Sequence, residues 1–486
     1  MMSQNSNAIP LRDPRTGEID GEIVPASREE VAQAARELRA GQAAWSALGL
    51  EGRIAVMRRW ADAIEAASDK ITAAEMRDTG RRRVAHEVPH MVAHSIRLWC
   101  DKAPSVVERA LLEGQSSIIP SVSFRMQLVP YPLVGIISPW NHPFLLSMLD
   151  GVPALLAGCA LLVKPSEIAP RFVGPVTETI AAVPELAAVL RYIVGDGGTG
   201  QALIEEVDQL CFTGSVPTGR KVAEACARRF IPVFLELGGK DAVIVTGSAD
   251  IQQAAAAVLK GAVHNTGQLC FSTERAYVAR EIYEPFVAEL KAQAERIKFS
   301  YPDMKQGHLG PFILGRQADI VDAQLKQATD AGATIEAGGL SQTLGGGRFM
   351  PATVVTNVDH SMSLMREETF GPVIPVMPYD NEDEAIALAN DSSFGLSGAV
   401  IAGSAEEAER IAERMDAGAI SIQDTSLTIF IMTDVEKTSF GMSGMGGSRM
   451  GPNGMLRFFR KKALIRRSGA VTDMEAYAEH NAAPHA

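Results

Sequence analysis

The hydrophobic pattern in the middle of the chain alternates short apolar runs with segments that repeat apolar residues at helical spacing. The apolar runs are LVGIIS (133–138), ALLVKP (160–165), RYIVGD (191–196), DQLCFTG (208–214) and PVFLELGG (232–239). Strands that alternate with helices at this rhythm predict βαβ units and a parallel sheet covered on both faces. Ligands of such sheets bind at the carboxyl ends of the strands, so the residues after each run are candidates for function.

Helical patterns come before this region, and the α/β alternation resumes after it. Ser27 and Glu30 form a capping-box sequence, and apolar residues at helical spacing follow it as far as Trp45. A second helix is predicted over 53–67. After Lys240 the run DAVIVTG and a long alanine-rich helix predict a second α/β domain. Residues 116–130 are rich in β-formers and predict a hairpin-like excursion.

The long apolar stretch at 145–163 is interrupted by Asp150, Gly151 and Pro153. A bilayer span needs about 20 predominantly apolar residues and tolerates a central aspartate poorly. The stretch therefore predicts a helix, a turn and a buried strand, and we expect no membrane partner.

The charge balance argues against nucleic acid as a partner. The 486 residues carry a net charge of −12, whereas phosphate binding favours a basic face. The basic run RFFRKKALIRR (457–467) is read as a solvated strand or the edge of an interface.

The cysteines are five in number and widely spaced: Cys100, Cys159, Cys211, Cys226 and Cys270. An odd number without any CxxC pair excludes a disulfide framework and a thiolate zinc site, and no metal is predicted. The N-terminus shows no basic region followed by an apolar core, so no signal peptide is predicted. These features together predict a cytoplasmic protein.

Polar residues that follow the predicted strands form the candidate site. Asn141 in SPWNHP can donate to a developing oxyanion, or can simply be a turn residue. Lys164 and Glu167 in VKPSE suit the ribose hydroxyls of a dinucleotide, or belong to a solvated loop.

Glycines follow two further strands. Gly214, Ser215 and Gly219 in FTGSVPTG predict a phosphate cradle at a helix start. The stretch GDGGTG, from Gly195 to Gly200, fits the GxGxxG pattern but lacks an acidic partner about 20 residues on, so its glycines can equally form a tight turn.

An acid and a thiol complete the set. Glu236 in LELGGKD would have a raised pKa in an apolar setting and could then act as a general base, although taken alone the residue favours a structural acid. Cys270 in GQLCFSTER has Leu269 and Phe271 beside it and polar residues after them, so it is either a nucleophile or an ordinary core thiol, which composition alone favours.

The motifs taken together resemble the NAD(P)-dependent aldehyde dehydrogenase superfamily. PWN, KPSE, FTGS with Gly219, ELGGKD, GQLC and EETFGPV (367–373) occur in the family's order, and the similarity runs from about residue 10 to about residue 465. The resemblance implies Cys270 as nucleophile, Asn141 and the Cys270 amide as oxyanion donors, and Glu236 as the base that activates water. It implies NAD as cofactor, with NADP possible.

The resemblance also implies which residues contact the cofactor and the aldehyde. Lys164 and Glu167 would hold the adenosine ribose, Ser215 the pyrophosphate, and Glu368 and Phe370 the nicotinamide ribose and ring. The full cofactor set is Pro139, Trp140, Lys164, Ser166, Glu167, Gly195, Gly214, Ser215, Gly219, Leu237, Gly238, Glu368 and Phe370. The substrate would be lined by His142, Leu146, Leu149, Leu269 and Phe271, which favours a medium-sized or aromatic aldehyde.

The expected fold is α/β and aldehyde-dehydrogenase-like. It has a Rossmann-type dinucleotide-binding domain (1–115 and 131–238), an α/β catalytic domain (239–445) and a β-arm for oligomerisation (116–130 and 446–470). The arm implies a homodimer or a homotetramer. Residues 471–486 predict a disordered tail from their alanine-rich and polar composition.

The chain departs from the family pattern between Gln423 and Phe440. Gln423 stands where many members have Asn, the following loop differs in length and content, and Met442 replaces a glycine. Two alternatives stay open. A CoA-acylating dehydrogenase usually lacks the base glutamate, so Glu236 argues against it. A non-catalytic, crystallin-like use of the fold would not require Cys270, Glu236 and Asn141 together.

Overall fold

Two largely parallel sheets with helices on their faces form an α/β framework in the computed structural model, which describes residues 8–481. The strands before Lys240 are β1 (Ile9–Arg12), β2 (Ile19–Ile23), β3 (Glu113–Gln115), β4 (Val122–Pro130), β5 (Leu133–Ile137), β6 (Ala160–Lys164), β7 (Leu190–Tyr192), β8 (Gln209–Thr213) and β9 (Val233–Glu236). The helices in this part are α1 (Arg28–Ala47), α2 (Gly49–Ala66), α3 (Ser68–Thr79), α4 (Arg82–Ala110), α5 (Pro143–Leu149), α6 (Gly151–Ala157), α7 (Val173–Ala181), α8 (Pro184–Ala187), α9 (Gly197–Glu206) and α10 (Val216–Arg229).

The second half of the chain continues the alternation. Its strands are β10 (Asp241–Val245), β11 (Thr273–Ala279), β12 (Thr334–Ala337), β13 (Gln342–Leu344), β14 (Gly347–Phe349), β15 (Thr353–Thr356), β16 (Val373–Tyr379), β17 (Phe394–Gly395), β18 (Gly398–Ile401), β19 (Ile420–Ile422), β20 (Phe440–Gly441), β21 (Gly444–Met445) and β22 (Phe459–Arg467). Its helices are α11 (Ile251–Val263), α12 (Tyr283–Ala294), α13 (Gly315–Asp330), α14 (Ser363–Arg366), α15 (Glu382–Asn390), α16 (Ala405–Ala412) and α17 (Asn453–Leu456), with short 3-10 turns at His264–Gly267, Arg280–Ile282, Leu427–Phe430, Met474–Tyr477 and Glu479–Asn481.

The first sheet has the strand order β21-β9-β8-β5-β6-β7. All neighbours in it are parallel except β21, which runs antiparallel to β9. From β5 the chain continues through β6 to β7 at one edge of the sheet. It then crosses back, so that β8 pairs with the opposite side of β5. The strand order therefore reverses between β5 and β8, where ligands of open α/β sheets bind.

Helix α1 shows how the sequence pattern positions the first core. The predicted capping box is confirmed, because Ser27 accepts from the Glu30 amide while the Glu30 carboxylate accepts from the Ser27 amide. Trp45 and the other apolar residues at helical spacing are buried in the core of the first sheet. Trp45 also donates its indole N–H to the Leu155 carbonyl at 2.9 Å, so this large buried side chain leaves no unpaired donor.

The apolar stretch 145–163 forms two helices and a strand, where a helix, a turn and a strand were expected. Helix α6 occupies the expected turn and is followed by Gly158, whose φ of +103° is accessible to glycine. Asp150 is buried between the guanidinium groups of Arg449, 2.6 Å away, and Arg457. Although burial opposes ionisation, these two arginines lower the pKa of Asp150. The aspartate in this apolar run is thus a fixed ion-pair partner.

The second sheet has the order β12-β15-β16-β11-β10-β18-β19, and all neighbours are parallel except β12 and β15. Strand β10 shows the two-residue period of a strand buried on both faces. Val243 and Val245 belong to one hydrophobic cluster, while Ala242 and Ile244 belong to the cluster on the opposite face. The predicted second α/β unit is therefore confirmed.

A three-stranded sheet of order β22-β4-β3 stands apart from the two large sheets. Strand β4 is the β-rich excursion expected at 116–130, and it pairs antiparallel with β22 from Phe459↔Pro130 to Arg467↔Val122. Most of the basic run 457–467 therefore forms strand β22, which agrees with its interpretation as a solvated strand. The proposed domain limits and the oligomerisation arm stay predictions.

The ends of the chain lie partly outside the described residues. The structure does not describe residues 1–7, which belong to the N-terminal segment in which no signal peptide is predicted. It also does not describe residues 482–486, which belong to the predicted disordered tail. Across residues 8–481 we find no helix with the length and apolar character that a membrane crossing requires.

Candidate active site

The candidate residues gather at the carboxyl ends of the strands of the first sheet. Asn141 follows β5, Lys164 ends β6, Ser215 follows β8, and Glu236 ends β9. Since these strands are parallel neighbours, their carboxyl ends lie at one edge of the sheet on both sides of the β5–β8 reversal.

The loop that carries Cys270 is fastened to the loop that carries Asn141. The Asn141 side-chain amide donates to the Gln268 carbonyl at 3.0 Å. The Asn265 amide donates to the same carbonyl at 3.2 Å and to the Asn141 carbonyl at 3.4 Å. The buried Arg81 guanidinium in turn binds the Asn265 side-chain oxygen and donates to the Pro311 carbonyl at 3.1 Å.

The backbone of this loop is unusual. Asn265 and Thr266 both adopt left-handed conformations, with φ of 54° and 55°, and Gly267 has φ of +68°. A Cβ on Gly267 would lie 2.2 Å from the Gly371 carbonyl oxygen, so the loop passes that carbonyl only because residue 267 is glycine. Consecutive strained residues of this kind occur where the surrounding structure fixes a functional geometry.

Cys270 differs from the other four cysteines in being partly exposed. Burial raises the pKa of the Cys270 thiol to about 12, and the neighbouring Asp241, Glu236 and Glu368 act in the same direction. Lys437 opposes this rise by favouring the thiolate. A nucleophilic role for Cys270 therefore requires help from a cation or a base, since the thiolate is the reactive form.

Glu236 lies in a polar setting, which corrects the expectation of an apolar one. Its Oε2 accepts a hydrogen bond from the Ser439 hydroxyl at 3.0 Å and lies 3.8 Å from the Lys437 Nζ. The residue is nevertheless 9% exposed, so the carboxylate is close to fully enclosed. An enclosed carboxylate with polar partners is held in a defined position.

Glu368 lies beside Gly238 and Gly239, which follow Glu236 closely in the chain. Its carboxylate accepts from the Gly239 amide at 3.2 Å, and burial raises its pKa to about 8. A Cβ on Gly238 would lie 2.5 Å from a Glu368 carboxylate oxygen, so glycine at 238 permits this close approach. Glu368 and Gly238, both assigned to the cofactor by resemblance, are therefore in contact.

The segment 367–373 is anchored by a buried ion pair. Lys240 lies 2.8 Å from the Glu274 carboxylate and donates to the Thr369 hydroxyl at 2.8 Å. The same carboxylate accepts from the Thr369 and Phe370 amides, each at 2.8 Å. Phe370 has φ of 53°, and its ring meets Trp140 edge-on with 5.5 Å between centroids. The predicted cofactor residues Trp140 and Phe370 thus lie together.

The two glycine-containing helix starts differ in whether their amides are free. At α9, which follows Gly195, the Asp196 carboxylate accepts from the Gly198 and Thr199 amides. At α10, Ser215 makes no side-chain cap and instead bonds the Thr218 hydroxyl at 3.1 Å. The α10 start is therefore the one with amides available to an anion, whereas the geometry favours a tight turn for the Gly195 loop.

Other cofactor candidates surround these elements. A Cβ on Gly219 would lie 2.6 Å from the Leu237 side chain, so glycine at 219 allows α10 to pack closely against it. Gly214 donates its amide to the Glu236 carbonyl at 3.1 Å, which joins β8 to β9 just before the helix.

Lys164 and Glu167 form an ion pair of 3.2 Å. The lysine side chain is 5% exposed, whereas the Glu167 side chain is 35% exposed and remains accessible to a ligand. Ser166 accepts from the Ile168 amide at 3.3 Å and shapes this loop, and Pro139, after β5, is partly exposed.

The predicted substrate residues separate into two groups. Leu269 is buried, whereas His142, Leu146, Leu149 and Phe271 are partly exposed. The His142 imidazole lies 3.1 Å from the Asn141 carbonyl, and burial with the nearby Arg81 and His264 lowers its pKa to about 3. A neutral imidazole at this place adds no positive charge to the site.

The structure adds residues that the sequence reasoning did not name. Lys437 and Ser439 belong to the atypical loop between Gln423 and Phe440, and Arg81 follows Gly80 at the end of α3. The sequence signal that could have identified Lys437 is its position three residues before Phe440, inside the loop that departs from the family pattern. Gln423 itself makes a reciprocal pair of 2.9 Å bonds with the Ala402 backbone and therefore supports the strand end.

The sequence model described as "Aldehyde dehydrogenase family" matches residues 1–464. A protein of Mycolicibacterium smegmatis named "Putative succinate-semialdehyde dehydrogenase [NADP(+)]" is 35% identical over 462 residues, which cover 94% of this chain and 88% of that protein.

Two solved structures show the same architecture. The structure of "Putative Aldehyde Dehydrogenase PutA" from Anabaena variabilis has a TM-score of 0.93 and 48% identity, covering 96% of this chain and 99% of that one. A betaine aldehyde dehydrogenase from Staphylococcus aureus in complex with NAD+ has a TM-score of 0.89 and 28% identity, covering 98% of this chain and 94% of that one. The α/β fold predicted from the sequence is confirmed, and the chain belongs to the aldehyde dehydrogenase family.

Proposed function

We propose that this enzyme oxidises an aldehyde to a carboxylic acid with Cys270 as nucleophile, Asn141 as oxyanion donor, Glu236 as the base for water, and NAD as the preferred cofactor. The observation that carries the proposal is the hydrogen bond from the Asn141 amide to the Gln268 carbonyl, two residues before Cys270. It links two of the proposed reacting groups, which are 129 positions apart in sequence.

The described residues suit a dinucleotide. The α10 start offers amides without a side-chain cap to a pyrophosphate, and Glu167 offers an accessible carboxylate to ribose hydroxyls. Glu368, Trp140 and Phe370 would contact the nicotinamide end. NAD, when bound, supplies the acceptor for a hydride.

The protein's part in the chemistry begins at the thiol. The Cys270 thiolate forms a bond to the aldehyde carbon, and the π electrons of the carbonyl move to its oxygen. The second N–H of the Asn141 amide and the Cys270 backbone N–H would donate to this oxyanion. Loss of hydride from the carbon restores the carbonyl and leaves a thioester on Cys270.

Hydrolysis then releases the acid. Glu236 takes a proton from water as the water oxygen attacks the thioester carbon. The carbon–sulfur bond breaks, the thiolate is regenerated, and the carboxylic acid leaves. Ser439 and Lys437, which contact Glu236, hold the carboxylate for this step.

The test is an initial-rate assay with aliphatic, aromatic and carboxylated aldehydes, each with NAD and with NADP. Carboxylated aldehydes are included because the mycobacterial relative is named for succinate semialdehyde. Cys270→Ala should lower turnover at least about 10³-fold, whereas Cys226→Ala, a change of a buried cysteine, should leave it largely intact. A Cys270→Ala enzyme with undiminished activity would exclude the mechanism, and turnover that requires CoA would favour the acylating alternative.

A further inference from the structure

Lys437 lies in the loop where this chain departs from the family pattern. Its side chain is 8% exposed, although it belongs to a loop of mostly exposed residues. The Nζ donates to the Ser439 hydroxyl at 3.1 Å, and that hydroxyl donates to Glu236 Oε2 at 3.0 Å. The same Nζ lies 3.8 Å from Glu236 Oε2. The ammonium is therefore directed into the candidate active site.

The loop is fastened by other contacts, so its fold does not explain the burial of Lys437. Two exposed ion pairs, Lys102–Asp434 at 2.7 Å and Lys260–Asp424, tie the loop to neighbouring helices. The Lys437 backbone amide also donates to the Ser448 hydroxyl at 3.1 Å. Burying an additional ammonium costs free energy, which suggests that its charge has a use.

The charges around Cys270 indicate that use. Asp241, Glu236 and Glu368 disfavour its thiolate, and Lys437 favours it. Lys437 also acts electrostatically on Asp241, so its charge reaches several acidic neighbours of the thiol. Arg449 interacts electrostatically with Glu236, but it is committed to Asp150 at 2.6 Å. Lys437 is therefore a cation that lies beside the proposed base and acts electrostatically on the proposed nucleophile.

We propose that Lys437 is a positioning residue for both reacting groups, favouring the Cys270 thiolate by its charge and holding the Glu236 carboxylate through Ser439. The inference rests on the proposed roles of Cys270 and Glu236. This positioning role depends on a residue of the atypical loop, because Lys437 lies between Gln423 and Phe440, where the chain departs from the family pattern.

The first test measures thiol reactivity without any turnover. Full-length enzyme is alkylated with iodoacetamide at a series of pH values, and modification of Cys270 is followed by peptide mass spectrometry. Below its pKa the thiolate fraction falls about tenfold for each unit by which the pKa rises. We expect Lys437→Gln to slow alkylation of Cys270 about three- to tenfold near pH 8 and to move its pH profile upward.

Matched variants separate charge from structure. Lys437→Arg should restore most of the reactivity because it keeps the charge, and Lys102→Gln should match wild type because it removes a lysine of α4 that forms an exposed ion pair with Asp434 of the same loop. An unchanged Cys270 profile in a folded Lys437→Gln enzyme would overturn the proposal. Equal slowing by Lys437→Gln and Lys437→Arg would also overturn it, since the effect would then be structural.

The second test follows the base. Ser439→Ala removes the hydroxyl that bridges Lys437 and Glu236, so we expect normal alkylation of Cys270 but a slower steady state after an NADH burst. A rise in KM confined to carboxylated aldehydes in Lys437→Gln, with normal alkylation, would instead make Lys437 a substrate anchor and refute the proposal. Full oxidation by Cys270→Ala would refute the proposed function itself, whatever the alkylation profiles show.

Discussion

The Asn141 side-chain amide donates to the Gln268 carbonyl across 3.0 Å, and both residues are buried. An asparagine amide carries two N–H groups, so this bond orients the side chain while one donor stays free. The oxyanion donor proposed for this enzyme is thus positioned by the loop that bears Cys270, the proposed nucleophile.

Asn141→Ala should therefore lower kcat much more than it raises KM. Removal of one preorganised oxyanion donor costs about 10²–10³ in kcat. Steady-state kinetics with a good aldehyde measure this effect, and the thermal midpoint checks that the fold is intact. A loss expressed only in KM would show that Asn141 binds the ground state rather than the transition state.

Glu236→Gln should slow thioester hydrolysis more than thioester formation. The amide keeps the size of the side chain but cannot take a proton from water. Stopped-flow measurements should show a burst of NADH close to one equivalent, followed by very slow turnover. The exposed Glu224→Gln serves as the control and should behave as wild type. Loss of the burst itself would mean that Glu236 also acts in the first half-reaction.

Glu167 should make the enzyme prefer NAD to NADP. Its partly exposed carboxylate can accept from ribose hydroxyls and repels a 2′-phosphate, although the ion pair with Lys164 moderates the repulsion. We expect Glu167→Gln to narrow the ratio of kcat/KM values for the two cofactors by about tenfold. A wild-type preference for NADP, the cofactor in the mycobacterial relative's name, would contradict this assignment.

His142 should reduce stability in acid. Its folded-state pKa of about 3 lies below the value of 6.5 expected when unfolded, so between these limits the unfolded chain binds the additional proton. The contribution of the neutral imidazole is present above pH 6.5 and is lost as the pH falls towards 3. His142→Asn should remove about 1–2 kcal/mol of the stability difference between pH 7.5 and 4.5, after allowance for partial solvent screening. Denaturant unfolding at both pH values measures it, and equal acid sensitivity of the two proteins would refute it.

The sequence predicted the parts of the fold that depend on local periodicity. The strands 133–137 and 241–245 are apolar runs, and Ser27 with Glu30 marks a helix start, so each is visible without tertiary information. The ordered motifs also identified the family. The polar setting of Glu236 was not predictable in this way, because Ser439 lies 203 positions away and its loop has no regular period. The same applies to Arg81 and Asn265, which meet over 184 positions.

The outer edge of β22 should pair with a second copy of this chain. Among residues 8–481, β22 pairs with β4 alone, at the edge of a three-stranded sheet, and Ile465 on β22 is 72% exposed. Most residues of β22 are exposed, and an unpaired strand edge is a template for further pairing. Two-fold pairing is the commonest closed arrangement, which supports a homodimer or a homotetramer built from dimers. Phe459, the first residue of β22, packs against the first core, so deleting the strand would disturb more than the edge. We therefore expect the point change Ile465→Asp to weaken assembly, while Val471→Asp, at an 88% exposed position beyond the strand, leaves it intact. Light scattering at low micromolar concentration measures both, and a monomeric wild-type mass would contradict the prediction.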